Sequence, residues 1–384
     1  MSSDKSYSVL QVLPALSAGG VERTVLEVAE ALVAAGHQAH VVSAGGRLVG
    51  ELTALGATHY TMDVGSKRVL SLPWRIAALR RLIHHTNADI VHARSRAPAW
   101  PAWRAALAEE RAFVTTYHGI YNEGWPGKRR YNSIMARGEL VIANSRFTSE
   151  HIMKTHKTPE RRIRVVPRGV DMARFDPDRV SADNALARRR SWGVADSATL
   201  VLLPGRLTAW KGGDVAIRAL AELPEDHHLV LLGDAQGRDG FVARLDALAN
   251  EQGVAARVHR PGHDDDVPTA MAAADVIICP STDPEAFGRT AAEAQAMGRP
   301  VVASAHGGAL DVVDAGRTGL LVAPGNAMEL ARAIRKASSL PDVGAVGRAR
   351  IGREFSKRSL QTGVLAVYDE VLAIKRGTRA PVPA

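Results

Sequence analysis

Two glutamates separated by seven residues, Glu285 and Glu293, have the surroundings of a ligand-binding turn. Pro284 and Gly288 interrupt the chain ahead of an Ala-rich segment, which predicts a loop followed by a helix over residues 290–297. Glu293 is then expected one turn into the helix, and Glu285 just before its amino end. Carboxylates at both places can accept hydrogen bonds from hydroxyl groups.

The amino end of this helix offers a site for an anion. The backbone N–H groups of the first turn have no partners inside the helix, and the helix dipole favours negative charge there. Phe287, Gly288 and Arg289 are the residues expected at this end. Hydroxyl acceptors beside a phosphate-binding helix end suit a sugar diphosphate. The alternative is an ordinary helix whose glutamates only complement its dipole.

Arg206 and Lys211 form a second candidate group, upstream in the chain. They follow a predicted buried strand at residues 200–203, on a loop flanked by glycines. Two such cations can hold a pyrophosphate and neutralise the charge that a departing nucleotide develops. A solvated loop with two cations is the alternative interpretation.

The segments GRLTAWKGGD and PEAFGRTAAEAQAMGRPVVAS, in that order, resemble the sugar-donor half of the retaining glycosyltransferases of family 4. The resemblance runs from Val9 to Ala373, which is nearly the whole chain. It implies the GT-B fold, an α/β architecture of two Rossmann-like, doubly wound domains that face a central cleft. The segment TYHGIYNEGWPGKRRYNSIMARGELVIANS is similar to bacterial members that assemble lipopolysaccharide cores and surface polysaccharides.

Alternating apolar strands and helices agree with this fold. Strands are predicted at residues 9–13, 39–42, 89–93, 113–117, 140–143 and 163–166, and again near residues 200–203, 229–232, 257–259, 276–279, 301–303 and 320–322. We divide the chain into an acceptor-binding domain at residues 1–183 and a donor-binding domain at residues 184–358. Residues 359–384 are expected to form a helix that crosses back to the first domain, followed by a flexible tail.

The resemblance also distributes roles over these elements. The catalytic group would comprise His118, Arg206, Lys211 and Glu285, with His118 contacting the transferred sugar. A purely structural histidine is the alternative for His118. The Gly-Gly turn near the start of the chain lacks the dinucleotide pattern G-x-G-x-x-G but permits close backbone approach. The expected contacts with the nucleotide sugar are Gly19, Gly20, Gly233, Pro261, Gly262, Phe287, Gly288, Arg289 and Glu293.

Positive charge is concentrated in the first half of the chain. Up to Asp183 there are 25 Lys and Arg against 17 Asp and Glu, and after it 24 against 23. An anionic partner is therefore expected, either a phosphorylated glycan or an anionic membrane lipid, and no nucleic-acid recognition motif is present. Basicity that serves only solubility is the alternative. The residues expected to contact the acceptor are Arg94, Lys128, Arg129 and Arg130.

A helix predicted at residues 72–85 is amphipathic, and it either packs on the sheet or contacts a membrane surface. The 384 residues have a hydrophobic fraction of 46% and a mean hydropathy of −0.08, as globular proteins do. A single cysteine, Cys279, excludes internal disulfides and fits a reducing compartment. With no recognisable signal peptide or spanning segment, we expect a cytoplasmic protein, with peripheral attachment to the inner face of the plasma membrane as a further hypothesis.

The acidic run Asp264, Asp265, Asp266 is interpreted as a surface loop. Its carboxylates are consecutive in the chain, and the resembled fold uses no aspartate–metal motif. We therefore expect no metal and no cofactor, only a nucleotide-diphosphate sugar as co-substrate.

Together these features predict a retaining hexosyltransferase that uses a UDP- or GDP-sugar and a glycan or glycolipid acceptor in cell-envelope polysaccharide or lipopolysaccharide synthesis. Glu293 would bind the ribose diol, and Glu285 the sugar hydroxyls. A rival role for Glu285 is that of nucleophile in a double displacement, whereas the resemblance favours front-face attack. The alternatives are a GT-B-fold epimerase acting on a nucleotide sugar and a non-catalytic nucleotide-sugar-binding protein.

Overall fold

Each half of the chain forms its own parallel sheet covered by helices. The computed structural model describes residues 6–17, 19–337 and 339–377, and for Val69 only the backbone. Unit 1 comprises the described residues up to Gly169 and from Lys357 onward, and unit 2 runs from Val170 to Ser356. The predicted fold class, two Rossmann-like doubly wound α/β domains, is confirmed.

The described strands are all paired in parallel. Unit 1 contains β1 Ser8–Val12, β2 Gln38–Ser43, β3 Thr58–Thr61, β4 Ile90–Ala93, β5 Ala112–Tyr117, β6 Leu140–Ala143 and β7 Ile163–Val165. Unit 2 contains β8 Thr199–Pro204, β9 His227–Leu232, β10 Val258–Gly262, β11 Val276–Cys279, β12 Val301–Ser304 and β13 Leu320–Val322.

Helices connect successive strands. Unit 1 begins with α1 Gly20–Ala34, α2 Val49–Ala54, α3 Leu72–Thr86, α4 Arg96–Ala108, α5 Lys128–Asn132 and α6 Arg146–His156. Unit 2 contains α7 Ala182–Ser191, α8 Gly213–Ala221, α9 Asp239–Glu251, α10 Val267–Ala273, α11 Arg289–Ala296, α12 Ala309–Val312, α13 Ala327–Ala337 and α14 Val343–Glu354. The last helix, α15 Lys357–Lys375, belongs to unit 1.

The strand order in each sheet creates a topological switch point. In unit 1 the order is β3-β2-β1-β4-β5-β6-β7, and in unit 2 it is β10-β9-β8-β11-β12-β13. Chain progression therefore reverses direction between β1 and β4 and between β8 and β11. The loops at the carboxyl ends of these strand pairs diverge and leave a crevice, which is where such sheets bind ligands.

The apolar strands explain the two-sided packing of both sheets. The sequences LVIA of β6 and VIIC of β11 are continuous apolar runs, as expected for parallel strands covered on both faces. Helix α15 packs against α1, and its buried Val364, Val367 and Val371 share one hydrophobic core with residues of α1. The crossing helix predicted at residues 359–373 is thus present, with two more residues at each end.

Three details differ from the sequence-based expectations. Strand β3, THYT, was not predicted, because it is a half-polar edge strand without an apolar run. The segment predicted as a basic loop up to Arg130 ends in helix α5. The units separate after Gly169 and not near Asp183, because Val170 and Phe175 lie in the hydrophobic core of unit 2.

No helix among the described residues is both long enough and apolar enough to cross a membrane.

Candidate active site

The switch point of unit 2 brings a lysine and a glutamate together from loops 74 residues apart in the chain. Lys211 follows β8 and Glu285 follows β11, so both lie at the carboxyl edge of neighbouring strands. Lys211 Nζ donates to Glu285 Oε1 at 2.7 Å, and each side chain is 15% exposed. The two residues that the sequence singled out separately therefore form one half-buried ion pair.

Ser281 completes this pair and was not identified from the sequence. Its hydroxyl donates to Glu285 Oε1 at 2.6 Å, the same oxygen that accepts from Lys211. Its carbonyl oxygen lies 2.8 Å from His306 Nε2. Oε1 is thus engaged twice, and Oε2 has no partner in the part of the chain that the structure describes. The carboxylate is held in one orientation with one oxygen available for a ligand.

Backbone contacts between loops fix the position of Glu285. The N–H of Gly308, after β12, donates to the carbonyl oxygen of Glu285 at 2.7 Å.

The loops after β8 and β9 also approach each other closely. Gly233 has φ 153°, and a Cβ there would lie 2.0 Å from the carbonyl oxygen of Gly205. Only glycine allows this approach between the loops after β8 and β9. Gly233 therefore has a packing role at the site edge, next to the region where the nucleotide was predicted.

Arg206 is the cation of this site that is available to a ligand. It is exposed and makes no hydrogen bond or ion pair with any described residue, in contrast to Lys211. Lys211 also lies over the ring of Trp210, with Nζ 4.7 Å from the ring centroid. The loop after β8 thus presents one positive charge that Glu285 restrains and one, on Arg206, that no described residue neutralises.

Helix α11 begins at Arg289, directly after Gly288 and one residue before the start predicted from the sequence. Gly288 is its N-cap with φ 87°, and Glu293 lies in the second turn, where it accepts from Arg289 Nε at 2.7 Å. The Phe287 side chain is buried against Phe355, with ring centroids 5.9 Å apart. Only the backbone of Phe287 is therefore placed for ligand contact, because its ring belongs to the core.

Three of the residues predicted to contact the nucleotide sugar lie at the ends of β9 and β10. Pro261 is exposed and Gly262 half-buried, on an edge strand whose pairing is irregular between His259 and Gly262. Gly233 follows the neighbouring strand β9. These three predicted residues thus share one edge of the sheet.

The acidic run of unit 2 and its single cysteine are accounted for by local contacts and by burial. Asp264 pairs with Arg188, Asp265 with His263 at 3.1 Å, and Asp266 caps α10. Within residues 6–17, 19–337 and 339–377, no cluster of three or more His, Cys, Asp or Glu is arranged to hold a metal ion. Burial raises the pKa of the Cys279 thiol to about 12, so this cysteine is a thiol at neutral pH.

The switch point of unit 1 is built differently. Helix α1 begins at Gly20 after Gly19, whose φ is 131°. A Cβ on Gly19 would lie 2.6 Å from a carboxylate oxygen of Glu22, which shows how closely this side chain folds back on the helix end. A carboxylate of the protein itself therefore complements the positive end of α1 in this structure.

A contact with the acceptor would require Arg94 to lie on the surface. The structure instead buries Arg94 beneath this switch point. It is 1% exposed, and its guanidinium donates to Gln11 Oε1 at 2.5 and 3.0 Å and to Thr116 Oγ1 at 3.3 Å. His92 continues the network, 2.7 Å from Thr116 Oγ1 and 2.6 Å from the Tyr368 hydroxyl of α15. We therefore assign Arg94 an internal role in joining β1, β4 and β5.

His118 lies at the end of β5 with both ring nitrogens shielded and without a hydrogen-bond partner among the described residues. Its carbonyl oxygen accepts from Asn144 and Arg168. Burial, with the nearby charges of Arg168 and Arg94, holds the pKa of His118 well below its ordinary value. The imidazole is neutral at physiological pH and has two unsatisfied polar atoms.

The predicted acceptor loop borders a cavity of about 670 Å³ in unit 1. Of its three cations, Lys128 lines the cavity, Arg130 is exposed, and Arg129 is engaged by the carbonyl oxygen of Thr155. Three further cations and two indole rings line this space, so it combines positive charge with aromatic surface. They are Lys67, Arg75, Arg96, Trp100 and Trp125.

Two family profiles match the chain, one on each half. The profile described as Glycosyltransferase Family 4 matches residues 18–174, and the one described as Glycosyl transferases group 1 matches residues 186–353. With the fold and the arrangement of loops described above, these matches define the class: the chain belongs to the family 4 glycosyltransferases of GT-B fold. The family predicted from the sequence is confirmed.

Among individual proteins, the chain is similar to a D-inositol 3-phosphate glycosyltransferase of Acidothermus cellulolyticus, at 35% identity over 83% of this chain and 67% of the relative. A crystal structure of a glycosyltransferase from Rickettsia africae matches with 35% identity and a TM-score of 0.88, over 96% of this chain and 99% of the other. The Anabaena protein Alr3699/HepE in complex with UDP-glucose matches at 25% identity and a TM-score of 0.81, over 94% and 99%. The chain spans 46% to 67% of the first three curated relatives.

Proposed function

We propose that this protein transfers a hexose from a nucleotide-diphosphate sugar, UDP-linked in preference to GDP-linked, to a phosphorylated or lipid-linked glycan acceptor, with retention of anomeric configuration and without a metal. The observation that carries the proposal is the ion pair of Lys211 and Glu285 at the switch point of unit 2, beside the free cation of Arg206. The relative solved with UDP-glucose supports the choice of base.

The sugar diphosphate is bound by charge and by hydroxyl acceptors. Arg206, Lys211 and the amino end of α11 stabilise the two phosphates and the charge that develops as the glycosyl–phosphate bond breaks. Because three sources of positive charge already converge on these loops, the proposal needs no divalent cation. Glu293 binds the ribose diol, at the second turn of the same helix.

Glu285 binds sugar hydroxyls through its free oxygen. Lys211 and Ser281 both engage Oε1, which lowers the nucleophilicity of the carboxylate and fixes its direction. This arrangement favours a hydrogen-bonding role over that of nucleophile, and with it a front-face reaction in which the leaving phosphate takes the acceptor proton. The neutral ring of His118 is suited to the same kind of hydroxyl contact.

The acceptor carries negative charge. The cavity of unit 1 collects Lys67, Arg96 and Lys128 next to Trp100 and Trp125, a combination that suits a phosphate attached to a sugar or polyol. Relatives named for D-inositol 3-phosphate support a phosphorylated acceptor. A lipid-linked glycan of the cell envelope, including one of lipopolysaccharide type, made at the inner face of the plasma membrane, fits the same chemistry.

The test is a product assay with UDP-glucose and inositol phosphate as the probe acceptor, in EDTA. We expect UDP release that depends on the acceptor, and a product whose anomeric proton coupling shows retention. Lys154→Ala is the matched control for Lys128→Ala, because Lys154 is an exposed lysine of α6 outside the cavity lining. Lys128→Ala should raise KM for the acceptor about tenfold, and Lys154→Ala should leave it unchanged.

Two results would contradict the proposal. Conversion of the nucleotide sugar into an isomer without an acceptor would identify an epimerase. Tight binding of UDP-glucose with no UDP release, from any of a panel of phosphorylated and lipid-linked acceptors, would identify a non-catalytic binding protein.

A further inference from the structure

Two large apolar side chains stand out from unit 1 ahead of and on helix α3. Leu70 is 93% exposed and Trp74 is 77% exposed, the highest values among the exposed large hydrophobic side chains of the described residues. The opposite face of α3 is ordinary, with Leu79, Leu82 and Ile83 buried against the sheet. The amphipathic face recognised in the sequence therefore packs inward, and the exposed apolar side chains lie elsewhere.

Cations surround these two residues. Lys67 and Arg68 precede Leu70, and Arg81 follows Trp74 by seven residues, which places it on the same face of α3. All three cations are exposed, and none forms an ion pair with a described residue. An anionic bilayer has apolar acyl chains beneath a layer of phosphate groups. Exposed apolar side chains can contact the acyl chains while the neighbouring Lys and Arg contact the phosphates.

The segment that carries this surface is anchored. Arg75 is buried, and its guanidinium donates to the carbonyl oxygens of Val64 at 3.2 Å and Arg68 at 3.1 Å. These bonds tie the loop ahead of Leu70 to the first turns of α3. Leu70 and Trp74 are therefore presented by a braced segment, which reduces the entropy lost when they insert into a lipid surface.

The apolar surface is continuous with the acceptor cavity. A depression of about 390 Å³ bordered by Trp74 is lined by three arginines and one carboxylate, Asp63. Two of its lining residues, Ser66 and Arg75, also line the cavity that contains Lys128. The cavity mouth and the exposed apolar side chains thus lie side by side on unit 1.

We propose that unit 1 docks on anionic phospholipid bilayers through Leu70 and Trp74, with Lys67, Arg68 and Arg81 contacting the headgroups. The biological meaning of this docking rests on the proposed function. A unit 1 docked on the membrane takes a lipid-linked acceptor into its cavity directly from the membrane surface. The docking itself needs no substrate.

The experiment is sedimentation of the full chain with vesicles of phosphatidylcholine, with and without phosphatidylglycerol. We expect binding to the mixed vesicles that weakens as salt is raised, since the charges are exposed. Leu70→Ser/Trp74→Ser should lower the partition coefficient at least tenfold. Arg68→Glu/Arg81→Glu should lower the partition coefficient by a larger factor. Loss of each cation accounts for about fivefold, and repulsion between the new carboxylates and the anionic headgroups lowers it further.

Matched variants control for general effects of polarity and charge. Leu107→Ser/Met328→Ser removes two side chains that are 54% and 47% exposed elsewhere, and Arg332→Glu/Lys336→Glu makes the same change in net charge on α13. Both should bind vesicles as the wild type does. Loss of binding in these controls equal to that in the test variants would overturn the proposal, as would equal binding to vesicles without phosphatidylglycerol.

Two further measurements separate this proposal from its competitors. If the surface instead mediates self-association, Leu70→Ser/Trp74→Ser would convert a dimer to a monomer without any vesicle binding in the wild type, and the docking proposal would be wrong. UDP-glucose binding and turnover on a soluble acceptor do not involve Leu70 or Trp74. Normal turnover without vesicle binding would therefore reject docking alone, and vesicle binding without turnover would reject the proposed function alone.

Discussion

The two switch points of this protein have the same topology but hold their charges in opposite ways. In unit 2 the charged groups lie in loops beyond the strands, where Lys211 and Glu285 are 15% exposed and Arg206 is free. In unit 1 the guanidinium of Arg94 is buried beneath the strand ends, hydrogen-bonded to the neutral side chains of Gln11 and Thr116 and near the buried carboxylate of Glu27. The same crevice is thus lined with reactive charge in one unit and supported by buried charge in the other.

This difference indicates a division of labour. A charge in a loop can meet a ligand, and its loss should affect binding and turnover more than stability. A buried guanidinium whose partners are Gln11 and Thr116 orders three strands, and its loss should affect stability first. Four predictions test this contrast.

The largest effect is expected at Glu285. Glu285→Ala removes the hydroxyl acceptor and leaves Lys211 without its carboxylate, so kcat should fall about 10³-fold while the melting temperature changes little. Glu285→Gln, which keeps the shape and one acceptor oxygen, should retain more activity. The measurement is UDP release under saturating UDP-glucose. Near-normal turnover in Glu285→Ala would remove this residue from the active site.

The opposite behaviour is expected at Arg94. Arg94→Met leaves Gln11 Oε1 buried without a hydrogen-bond donor, which should lower the free energy of unfolding by about 2 kcal/mol. The double variant Gln11→Leu/Arg94→Met removes both partners and should recover part of the loss. Urea unfolding of the two single variants and the double variant measures the coupling. Additive losses of unfolding free energy would show that Gln11 and Arg94 are not energetically coupled.

A smaller effect on turnover is expected at Ser281. Ser281→Ala removes the second hydrogen bond to Glu285 Oε1, so the carboxylate becomes less ordered and kcat should fall about tenfold. Ser281→Thr keeps the hydroxyl and is the matched control. If Ser281→Ala and Ser281→Thr have equal activity, the hydroxyl does not position Glu285.

The smallest effect is expected in the pH dependence of stability, through two buried histidines of unit 1. Burial lowers the pKa of His92 and of His118 well below the ordinary value, so both rings stay neutral in the folded protein while the unfolded chain takes up protons. The contribution of these histidines to the free energy of unfolding is therefore fully present above the histidine pKa of the unfolded chain. It is lost as pH falls below that pKa, at about 1 kcal/mol per pH unit for each histidine.

The variant His118→Asn tests this without breaking a hydrogen bond of the ring, since both its nitrogens lack described partners. The slope of unfolding free energy between about pH 6 and pH 5 should decrease. His85→Asn, at an exposed position, is the control. An unchanged slope in His118→Asn would mean that His118 is protonated in the folded protein.

The carboxyl-edge loops of unit 2 could be predicted from the sequence because their signals are local. Gly288 and the Ala-rich segment after it indicated the start of α11 to within one residue, and the strand order of a doubly wound sheet places the loops after β8 and β11 next to each other. The contact between Lys211 and Glu285 follows from that adjacency, although neither residue indicates the other in the sequence.

The internal roles could not be predicted because they depend on residues far apart in the chain. Arg94 follows an apolar strand, as a surface cation does, and the groups that compensate its burial are Gln11, 83 residues earlier, Thr116, 22 residues later, and the carboxylate of Glu27. Phe287 lies within the binding motif but packs on Phe355. Ser281 stands four residues before Glu285, so that spacing was the one local signal that could have identified it.

The most direct test of the central claim is a calorimetric titration of UDP-glucose in EDTA. The wild type should bind without a metal, and Arg206→Ala and Lys211→Ala should each weaken binding about tenfold to a hundredfold, because each removes a charged contact to the diphosphate. Arg218→Ala, which removes a cation of α8 paired with Asp214, should bind as the wild type does. Binding that requires a divalent metal, or equal affinity in all four proteins, would contradict the account.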